Sequence, residues 1–190
     1  MGLFPIELAL PSGFRYTEEF ISEDEESILL SEIEKIQLHT FIFQGYEAKR
    51  RVASFGFDYS FENRRLSKGK DIPTEFAWLI EKVAATTAIP SESFAELQIT
   101  EYPPGAVINW HRDAFPFEVI AGISLLSDCA FKLRPSDKAR QGRKAVITMA
   151  VRRRSLYIIK GNARWEWEHS TSAGVLPRYS ITLRTLGGPR

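Results

Sequence analysis

His111 and Asp113 stand two residues apart in the stretch Tyr102 to Asp113, which reads Y-P-P-G-A-V-I-N-W-H-R-D. The apolar residues Val107, Ile108 and Trp110 suggest that Ala106 to Asp113 is extended. On an extended chain, side chains at i and i+2 share a face, so an imidazole and a carboxylate converge on one point. The chain has three histidines, His39, His111 and His169, and His169 closes the run Trp165-Glu166-Trp167-Glu168-His169, a second expected strand. His39 has no ligand partner near it in sequence and reads as a surface residue. Two histidines and one carboxylate with open positions form the facial triad of non-haem Fe(II) oxygenases. The same three side chains also suit zinc with an open fourth position. A third reading has no metal at all, with His111 oriented by Asp113 and His169 merely ending a strand.

Near the C-terminus, Arg178-Tyr179-Ser180-Ile181-Thr182-Leu183-Arg184 reads as a strand. Residues 178, 180, 182 and 184 then share a face, which sets two guanidiniums on one side within reach of a dicarboxylate. Y-x-P-G-x-x-I-x-x-H-x-D, a distal histidine and R-Y-S-I-T-L-R together resemble the AlkB family of Fe(II)- and 2-oxoglutarate-dependent dioxygenases. The resemblance extends from about Phe14 to Leu186. It includes Ser155 to His169, similar to the strand, turn and strand that run into the family's distal ligand, and Arg51-Val-Ala-Ser-Phe-Gly56 with Tyr59, similar to its substrate side.

The resemblance implies that His111, Asp113 and His169 hold Fe(II), with positions left for 2-oxoglutarate and O2. It further implies that Tyr102 and Arg178 grip the far carboxylate of 2-oxoglutarate, and that Arg184 lies nearer the metal-side carboxylate or behind the ligands. Thr100 and Ser180 stand where the best-known repair members carry asparagines beside 2-oxoglutarate, and Phe115 replaces an acidic residue near the damaged base. Arg51, Phe55, Tyr59 and Phe115 are thus the expected substrate residues. The activity implied is oxidative dealkylation of N-alkylated bases in DNA or RNA. A second reading is an oxygenase for a protein or a small N-methylated molecule, suggested by Phe115 and a nearly neutral chain, and a third is a metal-binding module without turnover.

The expected fold is mainly β with flanking helices (α+β), a double-stranded β-helix or jelly roll with two N-terminal helices packed outside the sheet. Ser22 and Glu25 form a capping box, and Ile28, Leu29, Ile33 and Ile36 recur at helical spacing, predicting a helix to about Gln37. Its acidic residues read as a solvated face. Pro73 opens a second helix with Phe76, Leu79, Ile80, Val83 and Ala84 on one face, stopped by Pro90. Eight strands are then expected: Gln98–Tyr102, Ala106–Asp113, Val119–Leu126, Ala130–Arg134, Lys144–Val151, Ser155–Ile159, Trp165–His169 and Arg178–Leu186. Pro103-Pro104-Gly105 makes a corner before the ligand strand, and Lys160-Gly161-Asn162 a hairpin turn before the distal one. Trp165 and Trp167 are expected in the core, and Arg152-Arg153-Arg154 as solvated residues of a turn.

Between the two helices, Phe41, Phe43, Tyr46, Arg50, Arg51, Phe55, Phe57, Tyr59 and Phe61 make an aromatic and arginine-rich segment. Unstacked bases are held on aromatic rings and phosphates by arginines, so this segment reads as a recognition lid. The alternative is an ordinary hairpin with alternate aromatics buried. Arg64 to Lys70, and the loop around Arg134, Lys138, Arg140, Arg143 and Lys144, could add contacts to a polyanion.

At 190 residues the chain suits one domain, 1–190, with recognition over about 14–95 and a catalytic core over about 96–186. A net charge of +1 excludes a global field that would pull it towards nucleic acid or membrane. The single Cys129 excludes an internal disulfide, and the first residues, with Pro5 and Glu7, do not read as a signal peptide. A soluble, cytoplasmic monomer is expected.

Overall fold

The computed structural model describes residues 10–43, 45–60 and 62–188. The N-terminal residues before Leu10, including Pro5 and Glu7, and Phe61 of the aromatic segment lie outside the described residues. In chain order the elements are β1 (Phe14–Thr17), α1 (Glu23–Glu34), β2 (His39–Phe43), β3 (Tyr46–Ser60), β4 (Arg65–Lys68), α2 (Ala77–Thr87), β5 (Phe94–Tyr102), β6 (Ile108–His111), β7 (Phe117–Leu125), β8 (Cys129–Pro135), β9 (Ile147–Val151), β10 (Leu156–Ile159), α3 (Gly161–Trp165), β11 (Trp167–Thr171) and β12 (Arg178–Leu186).

Among the described residues the strands form two antiparallel sheets. The larger has the order β1-β10-β7-β12-β5-β3-β2, with β4 attached to β3, and the smaller has the order β6-β11-β8-β9. This is the double-stranded β-helix expected from the sequence. Alternation explains how the large sheet serves two purposes. Leu97 and Ile99 of β5, Ala121, Ile123 and Leu125 of β7, and Ile181 and Leu183 of β12 pack in one apolar cluster with Leu29 and Ile33 of α1 and Leu79 and Val83 of α2. The intervening residues, among them Glu96, Gln98, Thr100, Tyr102, Thr182 and Arg184, face the other way and line a cavity. Both faces of β5, β7 and β12 are therefore largely covered.

The eight expected strands all appear, with shifted ends. β6 stops at His111, so Asp113 lies just past the strand and not on it. Lys160-Gly161-Asn162 is not a hairpin turn: Gly161–Trp165 is a short helix, because Arg164 must reach inward. Its guanidinium, 2% exposed, donates to the backbone carbonyls of Phe117 at 3.1 Å, Asp113 at 3.1 Å and Ala114 at 2.8 Å. Trp167, though half-buried, packs against the apolar cluster between the sheets, whereas Trp165, also half-buried, ends the helix and lies edge-on to Phe115.

The capping box of α1 forms as read, with Ser22 accepting from the Glu25 amide and Glu25 accepting from the Ser22 amide. The helix ends earlier than expected, at Glu34, where Lys35 turns back onto Glu32 and Ile33. Its acidic run is not wholly solvated. Glu26 is fully buried and accepts from the Leu126 amide at 2.7 Å and from Arg153 Nε at 2.6 Å. The arginine turn is likewise engaged, Arg152 with Asp128 at 2.8 Å and Arg154 with Glu23 at 2.9 Å, so it clamps α1 to the end of β7. Glu26→Ala leaves a backbone donor without a partner, and it should destabilise the protein by about 2 to 3 kcal/mol. The half-exposed Arg153 regains water, which holds the loss at that level. Urea unfolding checks this.

Candidate active site

Antiparallel pairing of β6 with β11 sets His111 directly opposite His169, and their ring centroids are 4.2 Å apart. Asp113, two residues beyond, turns its carboxylate between them. One ligand atom from each of the three lies within 4.8 Å of the others, and Asp113 Oδ2 is 3.6 Å from His169 Nε2. His111 Nδ1 donates to the Asn109 carbonyl at 2.8 Å, which fixes the ring and leaves Nε2 as the free ligand atom. His169 stacks on Phe131 with centroids 5.4 Å apart. Burial, reinforced by His111, pushes its pKa down to about 3, so the imidazole stays neutral as a metal ligand must.

Burial alone would raise the Asp113 carboxyl. Arg184, followed by the two histidines and Arg164, outweighs it and holds the group well below the usual carboxylate range. Oδ1 accepts from Arg184 Nε at 3.0 Å and from Arg184 Nη2 at 2.9 Å. Oδ2 is buried and, among the described residues, has no hydrogen-bond partner. A buried carboxylate oxygen left without a donor is costly unless something binds it. An orphaned oxygen facing two imidazole nitrogens is a donor set that fits a divalent cation.

Arg184 is held from both sides. Its Nη1 donates to Glu96 at 2.6 Å, and Glu96 is 2% exposed. Burial pushes Glu96 up against the pull of Arg184, whereas the two carboxylates raise the Arg184 pKa despite its own burial. Arg184 is therefore placed to orient Asp113 from behind. Arg178, 5% exposed, donates from Nε to Ser124 Oγ at 2.9 Å, and its guanidinium lies 4.8 Å from the Tyr102 ring centre. Tyr102 and Ser180 share a hydroxyl contact at 3.3 Å. Thr100 and Tyr102 line a cavity of about 130 Å³ together with His111, Asp113 and His169, and the Arg178 guanidinium lies against the Tyr102 ring.

The expected substrate residues divide. Tyr59 lines the cavity. Arg51 does not: it is exposed and paired with Glu101 on the outer side of the sheet. Phe55, 9% exposed, belongs to the apolar cluster beneath the helices. Phe115 is 67% exposed, on the surface against Trp165 with centroids 6.0 Å apart. The cause is the phase of β3. Arg51 opposes Glu101 and Val52 opposes Thr100, which sends Arg50 and Val52 inward and Arg51, Ala53 and Phe55 outward. At Gly56, where φ is +82°, β3 leaves β5 and takes β4 as its partner; a Cβ there would meet the Ala95 carbonyl oxygen at 2.1 Å.

Phe41 and Arg50, which the sequence placed in the recognition segment, line the cavity with Tyr59, and beside them stand Asp58, Glu96 and Tyr157, which sequence reasoning missed. Arg50 sits 4.0 Å from the Phe41 ring centre, and burial lowers its pKa. No signal in the sequence separated Arg50 from Arg51, because the phase of β3 follows from its pairing with β5. In the basic loop, Arg134 is engaged with Glu168 at 2.7 Å and with the Trp110 ring. His39 is exposed at the start of β2.

Residues 14–184 match the model of the 2OG-Fe(II) oxygenase superfamily. The chain is similar to the tRNA (carboxymethyluridine(34)-5-O)-methyltransferase ALKBH8 of Mus musculus, with 29% identity over 184 residues, 93% of this chain and 26% of that protein. It is also similar to the alkylated DNA repair protein ALKBH8 homolog of Arabidopsis thaliana, with 24% identity over 89% of this chain and 53% of that one. It thus spans about a quarter of the mouse relative's length and about half of the plant relative's. The solved structure of OsALKBH1 has the same fold, with a TM-score of 0.73 at 14% identity over 93% of this chain and 98% of that one. On this evidence the chain belongs to the 2OG-Fe(II) oxygenase superfamily, whose dioxygenases use Fe(II), 2-oxoglutarate and O2, and it is similar to AlkB-homologue proteins.

Proposed function

We propose that this chain removes N-alkyl groups from bases of DNA or RNA, with residues 96–186 as the catalytic core and the region 14–95 supplying recognition. The observation that carries the reading is the wall of the cavity. Phe41 of β2 and Arg50 and Tyr59 of β3 line the same cavity as His111, Asp113 and His169, with Arg50 4.0 Å from the Phe41 ring centre, and aromatic rings beside a guanidinium are what a base taken out of its stack needs. The names of the relatives, one a tRNA methyltransferase and one an alkylated DNA repair protein, agree with a nucleic-acid substrate.

In this reading His111, Asp113 and His169 hold Fe(II), while Arg178 and Tyr102 hold the far carboxylate of 2-oxoglutarate with Thr100 and Ser180 alongside. When bound, iron with 2-oxoglutarate and O2 supplies the oxidation, which yields succinate, carbon dioxide and a hydroxylated N-alkyl carbon that leaves as an aldehyde. Arg184, held by Glu96, keeps Asp113 ionised and aimed. Arg164 fixes the backbone of the Asp113 to Phe117 loop, and Phe41 and Tyr59 position the base and exclude water. The exposed Phe115, apolar where the resemblance leads one to expect an acidic residue, favours a second reading in which a protein or a small N-methylated molecule is the substrate.

Aldehyde release over a panel of methylated oligonucleotides and methylated peptides separates the two. Release from an oligonucleotide, weakened by added salt, is expected; release from peptides alone would overturn the nucleic-acid assignment. Phe41→Ala or Tyr59→Ala should raise the KM for the oligonucleotide by about 5- to 100-fold, the worth of one stacking contact. Succinate formation without substrate should persist in both variants.

A further inference from the structure

Phe115 lies on the loop that carries the chain from Asp113 into β7, and the site described above makes no use of its ring. Ala114 before it and Phe117 beyond it line the cavity. Between those two the chain makes a tight turn, closed by the Phe117 amide donating to the Ala114 carbonyl at 3.1 Å. Phe115 and Pro116 are its central residues, so Phe115 projects from the edge of the cavity instead of entering it, and 67% of it is exposed.

The turn is pinned from several directions. Arg164 donates to the Ala114 carbonyl at 2.8 Å and to the Phe117 carbonyl at 3.1 Å, and the Gly187 amide donates to the Pro116 carbonyl at 2.8 Å. Trp165, next to Arg164, meets the Phe115 ring at 6.0 Å and 63°. The exposed Arg112 donates from Nη1 to the Trp165 carbonyl at 2.8 Å, which brings a second guanidinium to the same rim. A ring on so fixed a mount loses little freedom when another group stacks on it, so the contact keeps most of its worth.

One flat ring with a guanidinium beside it suits a base and its phosphate. When a base leaves its stack to enter a cavity, its neighbour in the strand is left with a bare face at the rim. We propose that Phe115 stacks on the base adjacent to the one in the cavity, with Arg112 beside it for the intervening phosphate. This rests on the nucleic-acid reading above and adds to it that the protein holds a strand, not a lone nucleotide. The cation beside the ring favours a chain of phosphates over an apolar peptide segment.

Single-stranded DNA and RNA pentanucleotides with a central N-methylated adenine or cytosine between adenines are the probes, and fluorescence anisotropy under anaerobic conditions reads their binding. Phe115→Ala should bind them about 5- to 100-fold more weakly than wild type, the worth of one stacking contact. Phe115→Trp should restore binding to within about twofold. Replacing the flanking adenines by abasic sites should weaken wild type by the same factor and Phe115→Ala hardly at all, the non-additivity that a direct contact requires. A Phe115→Ala protein that bound the pentanucleotides as wild type does, or lost as much with abasic flanks as with adenines, would overturn the stacking contact. A loss confined to methylated peptides would overturn it too. If wild type bound no pentanucleotide, the nucleic-acid reading itself would fall and this inference with it, whereas wild-type binding with an unaffected Phe115→Ala strikes only the inference.

Discussion

Asp113→Ala abolishes turnover and weakens Fe(II) binding by at least about 100-fold, whereas His39→Ala changes neither. Loss of an outer partner of a metal ligand already costs about 10- to 100-fold in affinity, and loss of the ligand itself exceeds that. The effect is expected to fall on the metal and not on the fold. Arg184 keeps its 2.6 Å bond to Glu96 when Asp113 is removed, so no buried guanidinium is left unpaired. Removal of the orphaned Oδ2 even relieves a burial cost in the metal-free protein. His39, exposed on β2 and outside the cavity, is the matched control. Equilibrium Fe(II) titration with a competing chelator reads the difference. Equal loss in the two variants would dissolve the assignment of the three ligands.

Arg178→Lys raises the 2-oxoglutarate dissociation constant by at least tenfold and leaves Fe(II) affinity nearly unchanged. Ser124 occupies Nε, so the terminal nitrogens of the planar fork are what remain for a carboxylate. A lysine ammonium is a point charge that cannot serve Ser124 and reproduce the fork together. Truncating one partner of a buried charge pair costs roughly 2 to 5 kcal/mol, on the order of 30-fold to several thousand-fold in affinity. Arg184→Lys should behave differently. Arg184 is shared between Asp113 and Glu96, so its loss should weaken Fe(II) binding as much as it weakens 2-oxoglutarate binding. If Arg184→Lys alone impaired 2-oxoglutarate binding, the roles of the two arginines would be reversed.

The convergence of His111, Asp113 and His169 was legible in the sequence because H-x-D and a distal histidine survive any detail of strand ends: Asp113 converges on His111 although β6 stops before it. The inward row Arg178, Ser180, Thr182 and Arg184 was legible from period two alone. The face of β3 was not. That strand runs fifteen residues, both its faces are partly covered, and Gly56 changes its partner midway, so the aromatic segment gave no phase from which to separate Arg50 from Arg51. Glu26 was hidden for another reason. An acidic run at a helix start looks solvated until its partner Arg153, 127 residues away, is brought beneath it. Tyr157 was masked by a run of apolar residues that is buried on both faces. Lys160-Gly161-Asn162 looked like a turn because the need for Arg164 to cap three carbonyls lies in tertiary structure.

Whether the cavity binds iron and 2-oxoglutarate together is the point on which everything else depends. The most direct measurement adds 2-oxoglutarate anaerobically to the Fe(II)-loaded protein and follows the visible metal-to-ligand charge-transfer band that a chelated 2-oxo acid produces. The band should appear and saturate with wild type, require more 2-oxoglutarate with Arg178→Lys, and fail to form with Asp113→Ala. A wild-type protein that showed no band, or an Asp113→Ala protein that showed the full one, would contradict the account.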